Sequence, residues 1–288
     1  ISRAERLSDA VRELVVVRQA QPDNRNALLL QADCHLQMAQ HKEVIALVGD
    51  LAARNPDDLA LAYLMGTALI RDKQYEKGAQ YIDRILRRQG TAQAYVLMGE
   101  ARQGAKDHLG AVGDFARAAE LDPELPGVHT LHGLALLEID DRAAAEQAFL
   151  RALERDPNDF EACRQLGILG KLHGRYEEAL GHLQRALRLR PYALDVRYEE
   201  ATLMITLGRN DEALARLQAI VADAPDFLGA HVSLATLYYR LGRREEGDRE
   251  RAIVARLRAE QRPEAEPKPS PAAPTTDRRP VGLGETHQ

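Results

Sequence analysis

Between Phe160 and Ala193 the small and apolar positions fall in a fixed order. Leu166 and Gly167 stand at the seventh and eighth places of a 34-residue unit; Ala179, Leu183 and Ala186 follow at the twentieth, twenty-fourth and twenty-seventh, and Pro191 at the thirty-second. This order predicts two antiparallel helices. Small residues at the eighth and twentieth places let the helices approach closely, and bulky Leu166 and Leu183 fill the space around them. Gly174 closes the first helix, where a left-handed residue without a Cβ is cheapest, and Pro191 stops the second from running on.

The same order recurs along most of the chain. Apart from Pro126 and the C-terminal stretch, prolines stand at 22, 56, 123, 157, 191 and 225, with differences of 34, 67, 34, 34 and 34. The 67 is one step of 34 plus one of 33, with Gly90 in place of the missing proline. Seven units are predicted, at 25–58, 59–91, 92–125, 126–159, 160–193, 194–227 and 228–260. Their eighth places hold Ala32, Gly66, Gly99, Gly133, Gly167, Ala201 and Ala235; their twentieth places hold Val44, Gly78, Ala111, Ala145, Ala179, Ala213 and Gly247. Gly174, Gly208 and Gly242 mark helix turns, and Glu177, Asp211 and Glu245 fall in the first turn of each following helix, where the helix dipole favours negative charge.

Residues 1–24 read as the second helix of an incomplete unit, with Ala10, Leu14 and Val17 at its packing positions. Either the protein extends upstream or this helix packs only forward onto the next unit. In the last helix, Arg251 stands where a bulky apolar residue is usual, as expected of a cap with a polar outer face. Residues 261–288 hold six of the thirteen prolines and almost no aliphatic residues, a composition that predicts a disordered tail.

The Leu-Gly, Ala, Leu, Ala, Pro spacing resembles the tetratricopeptide repeat (TPR) family. That resemblance implies an all-α fold, a right-handed α-solenoid of antiparallel helix pairs whose first helices line a concave surface. The inward stripe is implied at the fifth, ninth and twelfth places, which here include Tyr63, Ile70, Val96, Leu134, Leu137, Ile168, Tyr198, Ile205, Val232 and Tyr239. Two readings of this mostly apolar stripe remain open at this point. It forms a groove for an extended or helical peptide, with Tyr63, Tyr198 and Tyr239 as anchors, or it is buried between neighbouring first helices and maintains the stack. Some family members clamp the carboxylate terminus of chaperone peptides with Lys, Asn and Arg. No unit here has Lys or Arg at its fifth place with Asn at its ninth, so this mode is disfavoured.

Composition supports thin helical layers over one thick core: 288 residues contain no tryptophan and 5% aromatics. A formal charge of -5 argues against a nucleic-acid footprint. Cys34 and Cys163 lie almost four units apart, too far for an intramolecular disulfide, and suit a reducing cytoplasm. No apolar run approaches the roughly 20 residues needed to span a bilayer.

Candidate chemistry is sparse. No phosphate-cradling glycine loop, nucleophile elbow or metal-ligand motif of CxxC or HExxH type occurs, so an enzyme and a cofactor are not expected. His129 and His132 share a helix face, and Cys163 holds in the next unit the place His129 holds in its own; the three are read as core fillers rather than metal ligands. Arg197 and Glu200 occupy the fourth and seventh places of their unit, where apolar residues are expected. They are read as an intrahelical ion pair, with a loosened joint or a polar ligand contact as the other readings. The expectation is a non-enzymatic scaffold that binds a protein or peptide in its groove. The alternative is the recognition arm of a larger enzyme or envelope assembly whose active domain lies upstream.

Overall fold

A computed structural model describes residues 2–260; the predicted disordered tail, 261–288, lies outside the described residues. Fifteen α-helices and no strand occur among the described residues. The chain forms two compact units divided after Ile220, within the last turn of a helix. The architecture is an α-solenoid of antiparallel helix pairs.

The first unit opens with α1 (Arg3–Ala20), followed by the pairs α2 (Arg25–Gln37) and α3 (His41–Arg54), α4 (Leu59–Arg71) and α5 (Tyr75–Arg88), and α6 (Ala92–Gly104) and α7 (His108–Leu121). Three further pairs are α8 (Val128–Glu138) and α9 (Arg142–Arg155), α10 (Phe160–Leu172) and α11 (Tyr176–Leu189), and α12 (Leu194–Thr206) and α13 (Asn210–Asp223). The second unit contains the hairpin of α14 (Leu228–Arg240) and α15 (Arg244–Glu260).

Four of the seven hairpins close through a glycine packed against the bulky residue that the spacing predicts. A Cβ added to Gly167 would lie 2.5 Å from Leu183 Cδ2; at Gly99, Gly133 and Gly66 it would meet Phe115, Phe149 and Ile82 at 2.8, 2.7 and 2.5 Å. All four bulky residues are fully buried. Glycine therefore sets the interhelix distance, and the side chain opposite fills what glycine vacates.

Four of the seven first helices start where a short polar side chain satisfies a free N–H group. Asn24, Asp58, Thr91 and Asp159 accept from the backbone of Ala27, Leu61, Ala94 and Ala162 at 2.9–3.2 Å. The other three lack a side-chain cap, with Ala193 before α12 and Phe227 before α14. Gly127, at φ +75°, caps α8, so that helix begins at Val128 and has only 11 residues. All seven hairpin turns contain a residue at positive φ. Gly174, Gly208 and Gly242 take this place in the last three, and Ala39, Lys73, Lys106 and Asp140 take it in the first four.

Helix α1 buries no residue, and Val15, Val16 and Val17 are exposed. A Ser2–Glu5 capping box fixes its start, while Arg18 donates to Gln31 at 2.9 Å and Arg3 to Gln37 at 3.0 Å. Of the apolar face read from Ala10, Leu14 and Val17, Ala10 and Leu14 are half-buried and Val17 is exposed, and the ties of α1 to α2 include these polar contacts.

Candidate interaction surface

The stripe of fifth, ninth and twelfth places divides by burial. Tyr63 on α4 is 43% exposed, whereas Ile70, two turns on, is only 4% exposed. Ile70 Cγ1 would sit 2.6 Å from a Cβ on Gly78, so its side chain occupies the hairpin interior. Val96 on α6 and Leu134 and Leu137 on α8 are half-buried against core clusters. Ile168 on α10 and Tyr198 and Ile205 on α12 are half-buried. In the second unit Val232 is 37% exposed and Tyr239 half-buried. The Tyr239 ring packs over Gly247, and its hydroxyl donates to Asp248 at 2.5 Å.

Charged residues beside the stripe join successive first helices. Arg71 on α4 pairs with Glu100 on α6 at 3.0 Å. Lys171 on α10 reaches Glu199 at 2.8 Å and Thr202 at 2.9 Å, both on α12. Arg164 is held by Glu161 at 2.7 Å and reaches Asp195 at 3.4 Å. Burial pushes the Glu100 carboxyl up, and the Arg71 guanidinium opposes that shift. The Glu161 carboxyl is held below its ordinary value by hydrogen bonds from Arg164 and Gln165, which outweigh burial.

Two recesses adjoin this surface. In the first unit, Arg190 stacks 4.1 Å from the Phe160 ring beside Arg164, Pro191 and Tyr192, whose side chain is 88% exposed. This aromatic and guanidinium shelf was not drawn from the sequence, although Pro191-Tyr192 at a repeat junction was its visible signal. In the second unit, Val232, Thr236 and Tyr239 face Arg251, Val254 and Arg258 across a smaller recess.

The histidine cluster resolves into separate roles. Burial lowers the pKa of His129, and its hydrogen bond with the Pro123 carbonyl opposes that shift. His231, at the same place of the last hairpin, makes the equivalent bond to the Pro225 carbonyl at 2.9 Å. This place thus ties a first helix to the turn before it. Burial also lowers the His132 pKa and raises that of the Cys163 thiol. Among the described residues, no group of three or more His, Cys, Asp or Glu is positioned to hold a metal. Cys34 and Cys163 are free thiols. No described helix is long and apolar enough to cross a membrane.

The spacing of Arg197 and Glu200 concealed a third participant. Glu200 is 3% exposed, and Arg216 Nε of α13 lies 3.5 Å from its carboxylate, across the hairpin. Arg197 lines the same cleft.

Comparison with known proteins bears on this repeated geometry. Residues 130–193 and 172–230 each match a tetratricopeptide repeat profile. The chain belongs to the TPR family. Residues 2–85 match the profile described as anaphase-promoting complex, cyclosome, subunit 3. A Bos taurus protein named BBSome complex member BBS4 is 24% identical over 143 residues, which cover 50% of this TPR chain and only 28% of that relative. The C-terminal part of a TPR repeat-containing protein from Cytophaga hutchinsonii superposes with a TM-score of 0.66 at 13% identity, covering 80% of this chain and 95% of the other. Cut9-Hcn1, an APC/C hetero-tetramer, gives 0.58 at 14% identity over 87% of this chain and 50% of the other. MamA gives 0.54 at 20% identity over 57% and 95%. These likenesses establish the fold, one typical of non-catalytic scaffolds.

Proposed function

We propose that this TPR protein is a non-enzymatic interaction scaffold that captures an extended or helical protein segment on the face lined by its first helices. The observation carrying this reading is the exposure of Tyr63 on α4, within a stripe whose other members in the first unit are buried or half-buried. Such a surface supplies aromatic area and a hydroxyl at low ordering cost, on first helices joined by ion pairs. The adjoining shelf of Phe160, Arg190 and Tyr192 extends the candidate contact area of the first unit. Val232 and Tyr239 offer a second, separate contact area in the second unit.

Similar proteins named as members of the BBSome complex and of an APC/C hetero-tetramer favour a place within a multiprotein assembly. Free thiols fit a reducing compartment such as the cytoplasm. The test is affinity capture by the full chain beside the Tyr63→Ala/Tyr198→Ala variant, with helicity checked by circular dichroism. Partners should be retained by the native protein and depleted several-fold by the variant at unchanged helicity. Partners recovered equally by both would remove the first-helix face from consideration.

A further inference from the structure

A cleft of about 370 Å³ opens between α11 and the α12–α13 hairpin, on residues that, apart from Pro191, the proposed scaffold surface does not use. Gln184 and Arg188 of α11, Arg197 and Glu200 of α12 and Arg216 of α13 line it. Two of these are charged where the other units hold uncharged residues: the fourth place holds Leu28, Ala62, Tyr95, His129, Cys163 and His231 elsewhere, and the seventh holds Gln31, Met65, Met98, His132, Leu166 and Leu234. A carboxylate buried at such a place is costly unless paired, and ionic groups in a core seldom add net stability over apolar ones. Packing alone therefore gives no reason for this substitution. A cleft that must keep guanidinium groups in place does.

The geometry supplies the means. Glu200 engages Arg216 through Nε, while 58% of the Arg216 side chain remains accessible, which leaves its terminal nitrogens for a further acceptor. Arg188 is exposed, with no hydrogen bond or ion pair of its own among the described residues. Arg188 and the accessible end of Arg216 thus offer two guanidinium groups to the cleft, in a chain whose formal charge is -5.

We propose that this cleft binds a phosphate group. A carboxylate satisfies one planar guanidinium fork, whereas the oxygens of a phosphate accept forks from several directions, so one phosphate can engage Arg188 and Arg216 together. The phosphate is carried by a phosphorylated partner segment or is a free ion, and the test separates these sources.

The full chain is titrated at constant ionic strength with inorganic phosphate and with a short phosphoserine peptide, binding being read by calorimetry. The expected result is saturable binding that R188A/R216A weakens by about tenfold or more, since each charge-assisted hydrogen bond contributes on the order of that factor. R188A alone is the second variant, because Arg188 has no partner whose loss disturbs the fold; it should weaken binding with unchanged thermal stability. Tighter binding of the peptide than of phosphate assigns the source to a partner, and equal binding assigns it to the free ion. Absence of saturable binding of either probe, or affinity unchanged in both variants, overturns the proposal. The Tyr63→Ala/Tyr198→Ala variant should bind phosphate normally, so this test and that of the scaffold face can fail independently.

Discussion

Asp114 is buried on α7 at the twenty-third place of its unit, 2.9 Å from Arg102 Nη1 of α6. Burial raises its pKa from 3.8 to about 6; the Arg102 guanidinium opposes the shift and the charge of Asp107 adds to it. The folded state thus holds this proton to higher pH than the unfolded state does. Stability from this group is greatest at low pH and declines as pH rises from about 4 to about 6, above which the ionised carboxylate is a constant cost. A shift of this size corresponds to a cost of about 2–3 kcal/mol. Asp114→Asn removes the titration, so it should raise the melting temperature at pH 7.5 and change it little at pH 4. Thermal melts at both pH values check this; an equal shift at both would mean that ionisation is not the cause.

At the scale of the helix pair, a single left-handed residue reverses the chain in every hairpin. Glycine meets that demand without strain at Gly174, Gly208 and Gly242, whereas Ala39, Lys73 and Lys106 hold a Cβ in a region that disfavours it by about 1–2 kcal/mol. Lys106→Gly, at φ 65°, should therefore stabilise the protein by about 0.5–1 kcal/mol, and Gly174→Ala should destabilise it by about 1 kcal/mol. Urea unfolding of the two variants tests the pair of signs, and a destabilising Lys106→Gly would contradict the strain. The three glycine turns were legible in the sequence; the other four were not, because Lys or Ala gives no local signal for positive φ and only the repeat register reveals it. The hairpin interiors were legible for the opposite reason. Gly167 and Leu183 are complementary in size, and their periodic spacing reports the contact directly. What the spacing could not resolve was which stripe residues stay accessible. Ile70 is drawn inward by the absent side chain of Gly78, a neighbour across the hairpin. Arg216 was missed as a partner of Glu200 because their contact crosses the α12–α13 turn, while the helical i, i+3 rule pointed only to Arg197.

Across the first unit, stability is built from helix pairs that each depend on their neighbours, and the helices do not share equally in it. Residues such as Phe115, Phe149 and Leu183 are fully enclosed at the middle of hairpins, where apolar burial contributes roughly 1.5–3 kcal/mol per large side chain. Helix α1 encloses none, and its valines face outward. Its capping box fixes only its own start, and the part-buried Arg18–Gln31 and exposed Arg3–Gln37 bonds that tie it to α2 contribute about 1 kcal/mol each. Opening α1 should therefore require far less free energy than opening α10 and α11, and amide hydrogen exchange should show it. The amides of α1 should exchange roughly a hundredfold or more faster than those at the centres of α10 and α11, a gap that one or two enclosed side chains would remove. Equal protection in α1 would contradict this reading, because burial within the described chain cannot supply it; the Val15–Val17 face would then have to be covered by another molecule, such as a second copy of the chain.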